Sequence, residues 1–350
     1  MEALSEKLLN WYKTNKRDLP WRHTSDPYAI LVSEIMLQQT RVDTVISYYH
    51  RFLERFPTAA ALALAQEDEV LNLWKGLGYY SRARNLHRAA KKILHEHQGR
   101  FPESFEQVRK LPGVGDYTAG AVMSIAFNLP FPAVDGNVLR VIARINGLDN
   151  DIALPETKKL ISGIVKEMIP EDRAGDFTQT LMDLGATVCI PTTPSCDKCP
   201  VSFDCRANKE QKTDILPVKQ KKSKPQTQHF YALLIVHGHK LLMTRNHPRT
   251  LLKNLWGVPL IERENIDEPP AEKLQEQILD KIGIEVLSFQ AMGKVKHVFT
   301  HRIWEMEILS CSKCSIHDLK QEYQWVSLES IDELPIPTAF TKLLRAGGLG

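Results

Sequence analysis

The chain has 350 residues, of which 43% are hydrophobic and 25% are charged. This length allows two domains of ordinary size, and the composition predicts soluble domains with real hydrophobic cores. The formal net charge of +3 is too small to indicate a nucleic-acid partner by itself. The longest apolar stretches, 59–65 and 231–236, are too short to span a bilayer, and no secretory signal follows the amphipathic start. We therefore expect an intracellular, cytoplasmic protein, in which cysteines are more often metal ligands or free thiols than disulfides.

The first part of the chain, residues 1–208, predicts a mainly α domain. Its connections are short and carry proline or glycine, and strand-like alternation is nearly absent. Apolar residues recur at helical spacing over 43–56, 68–77, 81–97 and 157–168.

A turn with two glycines, Leu111-Pro112-Gly113-Val114-Gly115, precedes an apolar segment predicted as a helix over 117–127. Glycines permit backbone conformations that other residues resist. The turn could therefore direct several N–H groups outward at a helix N-terminus and bind an anion such as a DNA phosphate. A plain corner between two helices explains the same residues equally well at this point.

Four cysteines follow within 17 residues, at the spacing C-x6-C-x2-C-x5-C: Cys189, Cys196, Cys199 and Cys205. Soft thiolates at this density suit zinc or an iron–sulfur cluster. Zinc sites usually pair two short CxxC knuckles, whereas here only one short pair exists. The wider outer spacings favour a [4Fe–4S] cluster, and zinc is the alternative. The isolated pair Cys311 and Cys314 is interpreted as ordinary thiols.

The composition changes over 209–228, where six lysines stand against one glutamate and one aspartate. This pattern predicts an exposed linker, which could also lie along a phosphate backbone. After it, an α+β domain is predicted over 229–350. Its predicted helix covers 271–282, and its predicted strands are 230–236, 240–244, 295–300 and 304–309.

Several of these motifs together resemble a known family. The turn at 111–115 looks like the helix–hairpin–helix (111–121) of the endonuclease III superfamily of DNA glycosylases. Val134-Asp135-Gly136-Asn137-Val138 is similar to its catalytic aspartate loop, and the cysteine spacing equals that of its [4Fe–4S] loop, here 189–205. The similarity is greatest to the adenine-specific branch, the MutY type. It covers roughly residues 5–210, and more weakly a C-terminal domain that is Nudix-like in the family.

The resemblance implies an enzyme of base-excision repair. It would hydrolyse the N-glycosidic bond of adenine mispaired with 8-oxoguanine or guanine, and so prevent G:C to T:A mutations. We expect a monomer that acts on double-stranded DNA and is associated with the nucleoid.

Three motifs belong to the adenine-specific branch. Residues 33–40 resemble its catalytic glutamate helix, 76–85 its mismatch-wedge loop, and 19–22 part of its adenine pocket. Base-contacting roles follow for Trp21, Arg22, Gln39 and Tyr79, of which the last two are expected near the base that loses its partner. Phosphate contacts are expected for Gly113, Gly115, Arg82 and Arg84.

Adenine is a poor leaving group unless it is protonated, so the reaction needs a protonated carboxylic acid and an ionised carboxylate. Glu34 lies in an apolar segment, and burial there would raise its pKa. The resemblance assigns it protonation of adenine at N7; a glutamate on an exposed helix face is the alternative. Asp135 precedes a helix predicted over 138–145, whose N-terminus is expected to lower its pKa and keep it ionised. The ionised carboxylate could stabilise the positively charged sugar or form a transient glycosyl adduct with it. Asn137 could orient Asp135 or the attacking water.

Tyr117 departs from the wider superfamily, whose lyase members carry a lysine at this position. That amine forms a Schiff base with the sugar, and a phenol cannot. We therefore expect base removal by hydrolysis without efficient strand cleavage. Tyr117 could hydrogen-bond near the sugar or Asp135, or serve only as helix packing.

Phe299-Thr300-His301 resembles the family loop that reads oxidised guanine, with threonine in place of the usual serine. The hydroxyl is retained, but the extra methyl alters the geometry. The helix at 271–282 lacks the glutamate cluster with which a Nudix hydrolase holds divalent metal, so we expect a recognition module.

Two other functions compete with adenine removal. An endonuclease III-like enzyme for oxidised pyrimidines is disfavoured by Tyr117 and by the second domain. A non-catalytic DNA-binding protein that carries a cluster would bind duplex but release no adenine.

Overall fold

The computed structural model describes residues 2–220, 225–245, 247, 252–263 and 271–349. The chain divides into two compact units. The first unit comprises Met1–Gln66 and Ser81–Lys221, and the second comprises Glu67–Tyr80 and Lys222–Gly350. Within the described ranges, no helix is both long enough and apolar enough to cross a membrane.

The predicted helical character of the first part is confirmed. Numbered along the whole chain, the helices are α1 (Glu2–Asn15), α2 (Pro27–Leu37), α3 (Val42–Arg55), α4 (Ala59–Leu64), α5 (Glu67–Leu73), α6 (Tyr80–Glu96), α7 (Phe105–Arg109), α8 (Asp116–Phe127), α9 (Gly136–Asn146), α10 (Pro155–Met168), α11 (Ala174–Thr187), α12 (Arg206–Lys209), α13 (Ala271–Ile282) and α14 (Thr338–Ala346). The helix predicted over 68–77 is too long. It ends at Leu73, before Gly76 and Gly78, which both have positive φ angles that a right-handed helix does not contain.

Helix α11 is central to the first unit and packs on α1, α8 and α9. Small residues allow these close approaches: a Cβ on Gly185 would lie 2.6 Å from the Cβ of Asn137. Gly185 therefore lets α11 approach the start of α9, where two predicted catalytic residues lie.

The predicted exposed linker at 209–228 is partly wrong. Leu216 is buried in the core of the first unit, and the Ile152 N–H donates to the Val218 carbonyl at 3.1 Å. At its other end the first strand already begins at Gln226. Three linker lysines, at positions 221, 222 and 224, lie outside the described residues. The lysine-rich composition predicted exposure of the whole segment, because it gives no sign that the one leucine among the lysines is buried.

The second unit contains a sheet with strand order β4-β5-β1-β2-β6, and β3 pairs with β1. Strands β1 and β5 are parallel, whereas β4 and β5 form a long antiparallel hairpin. The strands are β1 (Gln226–His237), β2 (Lys240–Thr244), β3 (Leu260–Glu262), β4 (Ile284–Val298), β5 (Arg302–Ile316) and β6 (Tyr323–Ser327).

The predicted strand at 295–300 covers only the end of β4 and runs two residues past it, and the one at 304–309 is part of β5. Most of β4 is exposed, so it lacks the apolar alternation by which a strand is recognised in sequence. The helix predicted over 271–282 is confirmed as α13, which packs Leu274, Ile278 and Ile282 into the core of this unit.

The segment around α5 groups with the second unit, which the sequence did not indicate. Asp68 forms an ion pair with Arg245 at 2.6 Å, and Asn72 donates to the Glu333 carbonyl at 2.6 Å. These contacts join residues far apart in sequence, so no local sequence pattern predicts them.

Candidate active site

A cavity of about 490 Å³ opens in the first unit. It is bordered by a short 3-10 helix at Pro20–Arg22, by α2, and by the starts of α8 and α9. The predicted site residues that line it are Trp21, Arg22, Glu34, Gln39, Tyr117, Asp135 and Asn137. Residues separated by more than a hundred positions are thus brought around one space.

Glu34 is buried, with 4% of its surface exposed, because α2 is apolar on nearly all its faces. Burial raises the pKa of this carboxyl, and the nearby charge of Asp135 acts in the same direction. The Tyr117 hydrogen bond and the Arg22 charge oppose the rise. The predicted burial and its effect are confirmed, and an exposed helix face is excluded.

Tyr117 donates its phenolic proton to Glu34 Oε2 at 2.5 Å. The predicted partner was Asp135 or the sugar, whereas the phenol contacts the other carboxyl, that of Glu34. Because Oε2 accepts this bond, a proton on the neutral Glu34 carboxyl would reside on Oε1. The phenol thereby decides which glutamate oxygen can act as an acid.

Asp135 caps the N-terminus of α9. Its Oδ1 accepts the Val138 N–H at 2.8 Å, and its Oδ2 accepts Asn137 Nδ2 at 3.0 Å. Burial nevertheless raises the pKa of Asp135, and these hydrogen bonds only oppose that rise. The predicted lowering of the pKa is therefore wrong in net direction. The helix N-terminus acts as expected, but desolvation outweighs it.

Arg140 fixes the orientation of Asn137. Its Nη2 donates to Asn137 Oδ1 at 2.8 Å, so the Asn137 amide nitrogen must face Asp135. The same guanidinium donates to the carbonyls of Gly185 and Cys189. Of the two roles considered for Asn137, the contacts support orientation of Asp135.

The sequence did not predict a buried charge cluster that includes Arg22 of the cavity wall. Asp183 on α11 is fully buried and pairs with both Arg17 and Arg22. Arg22 also donates to Tyr12 Oη at 3.1 Å and to Gln179. An acidic residue within the apolar run Leu-Met-Asp-Leu-Gly is the same signal that drew attention to Glu34, and it could have revealed Asp183.

The predicted phosphate contact of Arg82 is wrong. Its side chain is buried, and the guanidinium donates to the carbonyls at the end of α2, those of Ile35, Met36 and Gln38. Gln39, which follows, has a left-handed backbone with φ of 57°. Arg82 thus satisfies the last carbonyls of α2 and supports the turn that carries Gln39.

The two glycines of the hairpin differ. Gly113 has φ of 79°, and a Cβ there would lie 2.5 Å from the Asn85 Cβ. Gly115 is extended at φ of −101°, and no atom lies within 4 Å of its would-be Cβ. The predicted need for glycine therefore holds at Gly113 and fails at Gly115, which instead leaves open space at the start of α8.

Replacement of Gly113 by alanine is expected to lower the free energy of unfolding by about 1–3 kcal/mol, because it adds backbone strain and a clash. Thermal unfolding of the full chain measures the loss. Gly115→Ala is the matched control and is expected to cost less. Equal losses in both variants would contradict the distinction between the two positions.

In the second unit, Tyr79 and Thr300 meet through a hydrogen bond between their hydroxyl groups. Tyr79 is 45% exposed and has a left-handed backbone with φ of 49°. Phe299 packs edge-on against Trp304, with 5.0 Å between the two ring centroids, and His301 is exposed. Two motifs predicted to contact bases, which lie far apart in the sequence, are therefore in direct contact.

The four spaced cysteines line one small cavity in the first unit. Burial raises the pKa of Cys196, Cys199 and Cys205, and the charge of Cys189 raises each further. Arg144 donates to Cys189 Sγ at 3.4 Å and to the carbonyls of Ile190 and Pro191. Clustered thiols that repel one another when ionised fit a cationic centre that needs thiolate ligands.

In the parts of the chain that the structure describes, no group of three or more His, Cys, Asp or Glu side chains, the four spaced cysteines included, is arranged to hold a single metal ion. Cys311 is buried on β5, where burial raises its pKa to about 12. A thiol of that kind is inert, which agrees with its interpretation as ordinary.

Comparison with known proteins gives consistent relatives for both parts of the chain. Residues 32–170 match the HhH-GPD superfamily of base excision DNA repair proteins, and residues 230–346 match the NUDIX domain. The adenine DNA glycosylase of Buchnera aphidicola subsp. Acyrthosiphon pisum is 33% identical over 97% of this chain and 96% of that protein. The human adenine DNA glycosylase is 31% identical over 98% of this chain and 73% of that protein.

Solved structures of two other proteins resemble part of the chain. A thermostable thymine-DNA glycosylase matches with 32% identity and a TM-score of 0.55, covering 59% of this chain and 96% of that chain. Endonuclease III in a non-covalent DNA complex matches with 23% identity and a TM-score of 0.51, covering 60% of this chain and 95% of that chain, which shows a shared fold.

Proposed function

The chain belongs to the adenine DNA glycosylase family, and from this we infer that it hydrolyses the bond between adenine and deoxyribose in duplex DNA. The substrate typical of the family is adenine opposite 8-oxoguanine. The observation that carries the proposal is the cavity in which Glu34, held by Tyr117, lies with Asp135 at the start of α9. A buried acid and a hydrogen-bonded carboxylate form the pair that this reaction requires.

The reaction begins with adenine outside the base stack, at a cost of a few kcal/mol. The cavity then receives the base, and Trp21, Arg22 and Glu34 are among the residues that line it. Glu34 transfers its proton from Oε1 to adenine N7. Adenine leaves as a neutral base, and the bonding electron pair goes with it.

Loss of the base leaves positive charge on the sugar, which Asp135 opposes. The hydrogen bonds from Val138 N–H and Asn137 favour the ionised carboxylate against the effect of burial. The developing sugar cation adds to them, so the negative charge of Asp135 is most stable when it is needed. Water then bonds to the sugar carbon and releases one proton, which the ionised Glu34 accepts, so that the acid is restored.

Adenine removal is tested with a duplex that holds one adenine opposite 8-oxoguanine, followed by alkali. We expect strand breaks at that adenine only after alkali, and none in the same duplex with adenine opposite thymine. Intact strands after alkali would refute the proposed function. Strand breaks without alkali, or a protein–DNA adduct trapped by borohydride, would instead refute the inference that Tyr117 makes the enzyme purely hydrolytic.

Recognition of the opposite base is proposed for the second unit. The exposed His301 and the Thr300 hydroxyl, which Tyr79 holds, offer hydrogen bonds to a modified guanine. We further propose a base contact for Gln39 in the first unit and another for Tyr79 in the second, since the left-handed backbone of each residue points to a functional constraint. The protein would act as a monomer on the DNA of the cell.

An iron–sulfur cluster is common in endonuclease III-like glycosylases, and we propose a [4Fe–4S] cluster here. Cys189, Cys196, Cys199 and Cys205 would hold it, and Arg144 would lie beside the Cys189 sulfur. When bound, the cluster supplies four covalent bonds that tie the loop between α11 and α12 together.

Serine in place of Cys199 is expected to abolish iron binding and to lower the melting temperature, because a soft ligand is lost from the loop. Iron analysis and visible absorption of the purified chain measure the effect. Cys314→Ser, a partly buried cysteine on β5, should keep both iron and colour. A colourless wild-type protein that contains zinc would support the alternative metal.

A further inference from the structure

Asp183 is a fully buried carboxylate that forms ion pairs with two arginines. Its Oδ1 accepts Arg17 Nε at 2.9 Å, Arg17 Nη2 at 2.7 Å and Arg22 Nη2 at 2.9 Å. Its Oδ2 accepts the Arg17 backbone N–H at 3.1 Å. Such a buried anion is stable only while its cations stay in place.

Arg22 pairs with Asp183 and lines the same cavity as Glu34. Its side chain is 9% exposed, and Tyr12 and Gln179 accept from Nη1. The charge of Arg22 already favours the ionised form of Glu34. The other groups that act on Glu34 are Tyr117 from α8 and Asp135 at the start of α9.

We propose that Asp183 is a positioning residue that holds the Arg22 guanidinium away from Glu34 and so keeps the catalytic proton on Glu34. This inference rests on the proposed function. Two carboxyls compete for one guanidinium, and a guanidinium that pairs closely with a carboxyl stabilises its ionised form. Bound to Asp183, Arg22 can shape the adenine pocket without removing the acidity that the reaction needs.

Loss of the Asp183 charge should therefore redirect Arg22. In Asp183→Asn the side chain keeps its size, but the buried anion that Arg22 requires is gone. Glu34 and Asp135 both line the cavity with Arg22, and the charge of Arg22 already favours the ionised form of Glu34. A closer pair between Arg22 and Glu34 lowers the pKa of Glu34 further. The enzyme would lose its acid at a lower pH than the wild type.

The test measures single-turnover adenine release from the 8-oxoguanine duplex by the full chain between about pH 5 and 9. The wild-type rate should fall on the alkaline side as Glu34 loses its proton. In Asp183→Asn this fall should begin at lower pH. The rate at high pH relative to low pH should drop about tenfold for each unit by which the pKa falls.

Two controls separate this effect from general damage. Arg17→Gln removes hydrogen bonds from Asp183 but leaves the Arg22 pair, so the alkaline fall should not move to lower pH. Asp176→Asn changes an exposed acid on the same helix and should match the wild type. Melting temperatures of all variants report folding.

Should Asp183→Asn fail to fold, Arg22→Gln tests the same inference, since removing the competing cation should move the fall to higher pH. The inference is overturned if Asp183→Asn lowers the rate without moving the fall, if Arg17→Gln moves it equally, or if Arg22→Gln leaves it in place. A wild type that releases no adenine would instead overturn the proposed function.

Discussion

Glutamine at position 34 is expected to slow adenine release by about 10²- to 10⁴-fold, the range that general acid catalysis contributes. The glutamine carbonyl can still accept the Tyr117 hydroxyl, so the hydrogen bond and the volume of the site are retained. What is lost is the transferable proton, without which adenine must leave as an anion. Single-turnover release from the 8-oxoguanine duplex measures the effect.

Glu54→Gln is the matched control for this variant. Glu54 lies exposed on α3, and its replacement should leave the rate unchanged. Wild-type rates in Glu34→Gln would show that another group supplies the proton, and the mechanism proposed above would be wrong.

Glu34→Gln should be at least as stable against unfolding as the wild type above neutral pH. The folded-state pKa of Glu34 is raised by burial, so the folded state binds this proton more tightly than the unfolded chain does. That contribution is complete below the unfolded pKa and is lost as pH rises through the folded pKa. Glutamine does not ionise, so Glu34→Gln has no such loss of stability. The melting temperature of the wild type should therefore fall below that of Glu34→Gln as the pH becomes alkaline.

Asparagine at position 135 is expected to slow adenine release by about 10²- to 10³-fold, the usual effect of removing one electrostatic contact to a transition state. Its carbonyl oxygen can still accept the Val138 N–H and cap α9. Its amide cannot accept the Asn137 Nδ2 proton as the carboxylate Oδ2 does, and the negative charge opposite the sugar is absent. Duplex affinity should change far less than the rate.

A second aspartate cap provides the control for Asp135→Asn. Asp26 caps α2 through the Tyr28 N–H at 3.0 Å and is exposed, so Asp26→Asn makes the same chemical change outside the cavity. Its rate should equal that of the wild type. Equal losses in the two variants would mean that capping, and not charge opposite the sugar, explains the effect at Asp135.

Local sequence patterns identified much of the site because its chemistry depends on unusual neighbours. An acid in an apolar helix indicated Glu34, an aspartate before a helix indicated Asp135, and a dense thiol spacing indicated the cysteine loop. Each signal lies within a few residues, which is the distance over which helical periodicity and capping act.

The errors arose where a side chain's partner is remote in sequence. Arg82 was predicted to bind phosphate because the sequence does not distinguish an exposed arginine from a buried one. Its carbonyl partners lie on α2, far from it in sequence. Leu216 sits in a lysine-rich stretch, yet it is buried in the first unit. The pKa of Asp135 follows desolvation by its neighbours more than the helix it caps.

The order of residues by itself therefore indicated the helical and α+β parts, the two candidate carboxyls and the closely spaced cysteines, since propensity, capping and spacing are local properties. The tertiary structure alone decided the hydrogen bond from Tyr117 to Glu34, the orientation of Asn137 by Arg140, and the pairing of Arg22 with Asp183. Hydrogen-bond geometry and desolvation depend on which distant segments pack together, and packing is a property of the whole fold.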